Sequence, residues 1–81
     1  MPRRTAHYNL GNAYGKLGRY QEAIEAYKQT IRIKPDDAEA HYGLGVAYGR
    51  IGDKSAALNE YTILKDLNQE MAKELFDFIY Q

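Results

Sequence analysis

Two histidines, His7 and His41, are the side chains best suited to acid–base chemistry or metal binding, and they lie 34 residues apart. Imidazole titrates near neutral pH and is a common metal ligand. The only serine, Ser55, follows Asp53 closely but has neither histidine near it in sequence, so a serine–histidine nucleophile is not indicated. Packing of the histidines and a place for Ser55 at a helix start explain these residues more simply. We therefore assign no catalytic residue and expect no enzyme.

Composition argues against several other kinds of site. The chain has no cysteine, which removes disulfides, thiolate metal sites and a cysteine nucleophile. It shows no phosphate-binding loop, dinucleotide fingerprint or zinc-ligand spacing, so we expect no cofactor and no metal. The 11 basic and 11 acidic residues balance, and the basic ones form no continuous stripe with aromatic residues. Nucleic acid is therefore not an expected partner.

Membrane and export signals are also missing from the sequence. No apolar run approaches the roughly 20 residues that span a bilayer. The opening residues, MPRRT, are too short and too polar for a secretory signal. We expect no membrane partner. These features leave the compartment open, with the cytoplasm favoured.

The two histidines belong to a repeated phrase, AHYNLGNAYG at residues 6–15 and AHYGLGVAYG at residues 40–49. When the sequence is shifted by 34 positions, 11 of the 31 pairs from Thr5 to Pro35 are identical. An internal period of this length indicates stacked structural units. Stacking would separate the histidines by about 10 Å, the distance between packed helices, which is too far for a shared metal ion.

Each unit reads as two helices separated by a short break. Apolar residues recur at helical spacing on both sides of Gly18, and Gly52 marks the same break in the second unit. Asp36, three residues before Glu39, resembles a capping box that starts the third helix, and Asp53 and Asn68 are predicted N-caps of the later helices. A fifth helix follows, with an apolar face formed by Met71, Leu75, Phe78 and Ile79. The predicted fold class is all-α.

The 34-residue phrase resembles the tetratricopeptide repeat, whose pattern is W-x2-L-G-x2-Y, then A-x3-F, then P. The first unit matches with His7, Leu10, Gly11, Tyr14, Ala23, Tyr27 and Pro35, and the second with His41, Leu44, Gly45, Tyr48, Ala57 and Tyr61. The resemblance implies an α-solenoid: repeat 1 at residues 4–37, repeat 2 at 38–69 and a C-terminal capping helix at 70–81. It also implies a protein-interaction module.

The glycines within the first helix of each unit need an explanation, because glycine costs roughly 1 kcal/mol relative to alanine there. For Gly11 and Gly45 we expect close approach of the second helix, with Ala23 and Ala57 as the small facing residues. Gly15 and Gly49 lie on the face that lines the concave groove in the resembled family. They would leave room there for a ligand, or would relieve crowding between helices.

Six residues on this concave face are the predicted peptide-binding site: Tyr8, Asn12, Lys16, Tyr42, Val46 and Arg50. Tyrosines with polar tips beside two cations suit a peptide that carries a carboxylate. One subgroup of the resembled family clamps a C-terminal carboxylate with lysine and asparagine. Asn12 matches the asparagine site but Tyr8 occupies the lysine site, so that activity is not carried over.

Self-association is the alternative function. Residues 1–34 carry seven basic and two acidic residues, a formal +5, whereas residues 35–81 carry four basic and nine acidic, a formal −5. Two repeats are fewer than the three or so that usually stand alone, and the segment Met1–Arg4 offers no capping helix. Phe76 and Tyr80 also widen the apolar face of the fifth helix. We therefore expect head-to-tail stacking or helix exchange between copies, or a place within a longer array.

Overall fold

Five helices make up the computed structural model, which describes residues 3–81. In chain order they are α1 (Arg3–Lys16), α2 (Tyr20–Ile33), α3 (Ala38–Arg50), α4 (Lys54–Leu67) and α5 (Gln69–Ile79). The described residues contain no strand, and the predicted all-α fold with five helices is confirmed. Within this range no helix combines the length and the apolar character needed to cross a bilayer. Met1 and Pro2, part of the segment without a predicted capping helix, lie outside the described residues.

The helices stack as two hairpins and a closing helix. α1 pairs with α2 and α3 pairs with α4 through short loops, which makes the members of each pair antiparallel. α3 packs mainly on α2 and lightly on α1, while α5 packs on both α4 and α3. α3 therefore covers the first hairpin and α5 covers the second, as in an α-solenoid.

The breaks within the hairpins occur at the predicted glycines. Gly18 has φ +77° and Gly52 has φ +85°, the left-handed conformation that glycine adopts without a Cβ clash. In both turns the N–H group after the glycine donates to a carbonyl five residues earlier, Arg19 to Tyr14 and Asp53 to Tyr48, each at 2.9 Å. This bond is the signature of a Schellman turn, so backbone geometry itself requires glycine at these two positions.

Side-chain caps begin the last three helices. The carboxylate of Asp53 accepts a hydrogen bond from the Ala56 N–H, and the amide oxygen of Asn68 accepts one from Met71, as predicted. At α3 the prediction was wrong by one residue. Asp37 rather than Asp36 is the N-cap and accepts from the Ala40 N–H at 3.2 Å, because the helix begins at Ala38 and Asp37 is the residue directly before it.

Two apolar clusters hold the stack together. The first joins α2 to α3 through Ala23, Ile24, Tyr27, Leu44 and Ala47, with Tyr14 and Tyr48 packed partly buried against it. The second joins α4 to α5 through Leu64, Ala72 and Leu75. Met71, Phe78 and Ile79 pack against the second cluster, which confirms the predicted apolar face of α5. Both clusters lie between successive units and so depend on stacking.

Four of the five glycines inside α1 and α3 lie against a large side chain from another helix. A Cβ on Gly11 would lie 2.7 Å from the Tyr27 ring, and a Cβ on Gly43 would lie 2.6 Å from the same ring. At Gly45 the nearest atom is a methyl group of Leu75, at 2.6 Å. The predicted close approach of the second helix is present, since Tyr27 lies on α2 and Glu60 of α4 lies 3.3 Å from a Cβ on Gly45. The side chains nearest to Gly11 and Gly45 are, however, the bulky Tyr27 and Leu75 rather than Ala23 and Ala57.

Candidate functional site

An open cavity of about 410 Å³ lies between α1 and α3 and has α2 as its floor. We call it the groove. It is lined by the side chains or backbone of Tyr8, Asn12, Gly15, Lys16, Tyr20, Ala23, Tyr27, Glu39, Tyr42, Gly43, Val46, Ala47 and Arg50. Because α1 and α3 are the first helices of the two units, the groove is formed by equivalent positions of both units.

All six residues of the predicted site line this groove. Tyr8, Asn12 and Lys16 follow one another at four-residue spacing along α1, and Tyr42, Val46 and Arg50 do the same along α3. A spacing of four places side chains on one helix face. The structure thus brings the six together as two facing rows, and their part in binding is proposed below.

Tyr27 organises the floor of the groove. Its ring lies between Gly11 and Gly43 and has its centre 6.0 Å from that of Tyr8. Burial, with a smaller contribution from Tyr8, raises the pKa of Tyr27 to about 12, so the phenol remains protonated at neutral pH. Its hydroxyl donates to the amide oxygen of Asn12. Among the described residues the amide nitrogen of Asn12 has no hydrogen-bond partner, which leaves its two N–H groups for a ligand.

Charge differs between the two ends of the groove. Lys16 and Arg50 end α1 and α3, while Glu39 lies in the first turn of α3. At 1.5 Å per residue, Glu39 and Arg50 are about 16 Å apart along the helix. Lys16 is exposed and forms no ion pair within the described part of the chain. The guanidinium carbon of Arg50 lies 5.1 Å from the centre of the Phe78 ring. The groove therefore offers two cations at one end and a carboxylate at the other.

Sequence reasoning missed some lining residues. Glu39 lies three, seven and eleven residues before Tyr42, Val46 and Arg50, so helical spacing alone could have placed it on the same face. Tyr20 begins α2 just after the Gly18 turn, and no periodic pattern marks it. Gly15 was expected either to leave room for a ligand or to relieve crowding. A Cβ there would meet nothing within 4 Å, so its surroundings are open.

Phe76 and Tyr80, the predicted self-association residues, lie apart from the groove. The ring centres of Phe76 and Tyr80 are 4.8 Å apart, and the ring centres of Phe76 and Tyr61 are 5.2 Å apart. Phe76 remains 40% exposed and Tyr80 51% exposed. Lys65 lies over Tyr61 and Lys54 over Tyr80. The three rings form a row across α4 and α5, which we call the aromatic row.

The two histidines differ in burial. His41 is buried, and its ring nitrogens contact a carboxylate oxygen of Glu60 at 2.6 Å and the Pro35 carbonyl at 2.7 Å. His7 is half-buried. Within residues 3–81, no three His, Asp or Glu side chains converge in a way that could hold a metal ion. The burial of Glu60 was not predicted from the sequence, because nothing around it in the sequence distinguishes it from an exposed glutamate.

Comparison with known proteins agrees with the repeat architecture. A family model described as TPR repeat matches residues 11–52, which is more than half of the chain and runs from within α1 to the turn after α3. No curated protein matches the chain. TPR repeats form helical protein-interaction modules and are not an enzyme family. Because the TPR family model matches more than half of the chain and the helices stack as hairpins, this chain belongs to the TPR repeat family.

Proposed function

We propose that this chain is a non-enzymatic module that holds a short peptide segment of another protein in the groove. The observation that carries the proposal is the groove itself, an open space between α1 and α3. All six predicted residues border it: Tyr8, Asn12, Lys16, Tyr42, Val46 and Arg50. A concave site with an apolar floor and a few oriented polar groups is the usual form of a ligand site.

The charges of the groove suggest the character and direction of the peptide. Lys16 and Arg50 attract a carboxylate, and Glu39 favours a basic group at the other end. The separation of about 16 Å matches about five residues of extended chain, at roughly 3.3 Å each. The Asn12 amide donates to a backbone carbonyl between these ends. The expected ligand is therefore a short extended segment with an acidic side and a basic side.

A peptide-library screen tests this function. Wild type is compared with the double variant Lys16→Glu plus Arg50→Glu, which reverses both groove cations. The matched control is Arg32→Glu plus Lys34→Glu, which changes the net charge equally but lies outside the groove. We expect acidic peptides to bind wild type and the control, and to lose binding to the groove variant. Equal binding to all three proteins would show that the groove is not the site.

The repeat boundaries are part of the same proposal. We assign residues 4–37 to the first repeat, 38–69 to the second and 70–81 to the closing helix, all within one structural unit. Support comes from the turns at Gly18 and Gly52, which divide both repeats into matching hairpins.

Self-association is the second candidate function. Leu10 is 45% exposed, whereas Leu44, its equivalent one repeat later, is 4% exposed because α2 covers it. Leu17 is 70% exposed, and in the aromatic row Phe76 on α5 and Tyr80 at its C-terminal end remain accessible. Apolar surface at both ends of the stack, with opposite net charge in the two halves of the chain, favours head-to-tail contact between copies.

A further inference from the structure

Gly49 and the residue after it show how this fold accommodates an aromatic ring. A Cβ on Gly49 would lie 2.6 Å from the ring of Phe78, which therefore rests directly against the α3 backbone. The guanidinium of Arg50 lies over the same ring, 5.1 Å from its centre. In the second repeat a phenyl ring thus contacts a glycine and is covered by the following cation.

The first repeat has a glycine followed by a cation at the equivalent positions, but no aromatic ring rests against this glycine. Gly15 and Lys16 lie 34 residues before Gly49 and Arg50, and a Cβ on Gly15 would meet nothing within 4 Å. α3 follows its N-cap Asp37 and α5 follows its N-cap Asn68, 31 residues later, so the α3 residue equivalent to Phe78 is Ala47. Ala47 is buried and borders the groove, but its methyl group does not fill the space beside Gly15, which is part of the groove.

Neither backbone geometry nor packing requires glycine at position 15. Of the described residues, only Gly18 and Gly52 have positive φ, so alanine would suit the helix at position 15 and would stabilise it. The four other glycines of α1 and α3, Gly11, Gly43, Gly45 and Gly49, each have a side chain against them. Gly15 alone among the helical glycines faces unoccupied space, which is the property expected of a subsite.

We propose that the groove binds an aromatic side chain of its peptide ligand against Gly15 and beneath the Lys16 ammonium group, in the arrangement that Phe78 adopts with Gly49 and Arg50. This inference rests on the proposed peptide-binding function and adds the ligand's chemistry to it. The partner is a segment with a phenylalanine, tyrosine or tryptophan close to the carboxylate that Lys16 and Arg50 attract.

The surroundings of Gly15 suit an aromatic ring. Ala23 of α2 and Ala47 of α3 are both buried and line the same cavity as Gly15, and Tyr20 also borders it. Small residues leave room for the ring, and a lysine ammonium within about 6 Å of a ring centre attracts its face. An aliphatic side chain would gain burial here but not this attraction. A carboxylate beside the ring would complement the remaining charge of Lys16 and Arg50.

The test uses the full chain and three pools of acetylated hexapeptides that end in a free glutamate carboxylate, with one internal position fixed as Phe, Leu or Ala. We expect wild type to bind the Phe pool most tightly, since burial of a phenyl ring contributes about tenfold or more in affinity over alanine. The variant Gly15→Leu fills the subsite and should lower affinity for the Phe pool about tenfold, as its side chain takes the place of the ring.

Ala13→Leu is the matched control, because it adds the same side chain to α1 at an exposed position outside the groove. It should leave the affinity for the Phe pool unchanged. Circular dichroism checks that both variants keep the wild-type helix content. Nuclear Overhauser effects between peptide ring protons and the Gly15 Hα protons give a second measurement that does not depend on a variant.

Different failures have different meanings. If the three pools bind equally, yet Lys16→Glu plus Arg50→Glu abolishes binding, the groove binds acidic peptides and the aromatic subsite is wrong. The same conclusion follows if Gly15→Leu and Ala13→Leu behave alike. If every pool binds the charge-reversed variant as tightly as it binds wild type, the peptide-binding function itself is overturned, and the subsite with it.

Discussion

Glu60 on α4 and His41 on α3 share a buried hydrogen bond of 2.6 Å between a carboxylate oxygen and Nδ1. The second ring nitrogen, Nε2, contacts the Pro35 carbonyl at 2.7 Å. Both partners are acceptors, so the ring satisfies them fully when both of its nitrogens carry protons. The imidazolium then ties α3 to α4 and to the linker that follows α2. Sequence alone placed His41 in the interior but did not identify the pair.

This pair predicts how stability depends on pH. The hydrogen bond that His41 donates to Glu60 raises the pKa of His41 above its ordinary value, against the lowering effect of burial, and the Pro35 carbonyl adds to the increase. A raised pKa contributes stability that is fully present below the unfolded-state pKa of about 6.5 and is lost as pH rises through the folded-state pKa. Urea unfolding across this range should therefore show the free energy of unfolding falling as pH increases.

Two variants assign that pH dependence to the pair. Glu60→Gln removes the carboxylate but keeps the size of the side chain. The fall in the free energy of unfolding above pH 6.5 should therefore become shallower in this variant. His7→Gln changes the equivalent histidine of the first repeat and leaves the pair intact, so the decline should remain. A decline that persists in Glu60→Gln would mean that another group is responsible.

The start of α3 offers a direct comparison of neighbouring residues. Asp37 caps the helix through the Ala40 N–H and is 4% exposed, whereas Asp36 is exposed. Asp37→Ala should reduce the free energy of unfolding by about 1 kcal/mol or more, the usual cost of a lost N-cap. Asp36→Ala removes the same charge one residue earlier and should have little effect. Equal losses in urea unfolding would indicate that charge, rather than capping, stabilises this end of the helix.

Glycine substitutions in α1 and α3 should have opposite effects. Gly43→Ala would place a Cβ 2.6 Å from the Tyr27 ring. Overpacking costs about 1–3 kcal/mol and outweighs the gain in helix propensity, so the free energy of unfolding should fall. Gly15→Ala meets no neighbour and should raise the free energy of unfolding by about 1 kcal/mol. Urea unfolding of the two variants measures the difference. Stabilisation by both would contradict the position of Tyr27 between α1 and α3.

The 34-residue period was sufficient to predict the fold, because a repeated phrase with matching breaks at Gly18 and Gly52 admits few arrangements other than stacked hairpins. It also placed the six groove residues on one surface, since equivalent positions on α1 and α3 face the same way. Tertiary partners were harder to predict. Helical spacing says which face a glycine occupies but not which side chain approaches it, so Tyr27 and Leu75 were missed. Nothing local distinguishes a buried Glu60 from an exposed one.

Self-association through the aromatic row is the last prediction. Phe76 is 40% exposed and packs against Tyr61 and Tyr80, so contact with another copy would bury its ring and those beside it. Light scattering should give a mass that rises above 9.3 kDa with concentration. Phe76→Ser should restore the monomer mass while circular dichroism retains the helical signal. Ile63→Ser is the control, because Ile63 is 39% exposed on α4 and takes no part in the aromatic row. A wild-type mass of 9.3 kDa at millimolar concentration would contradict association.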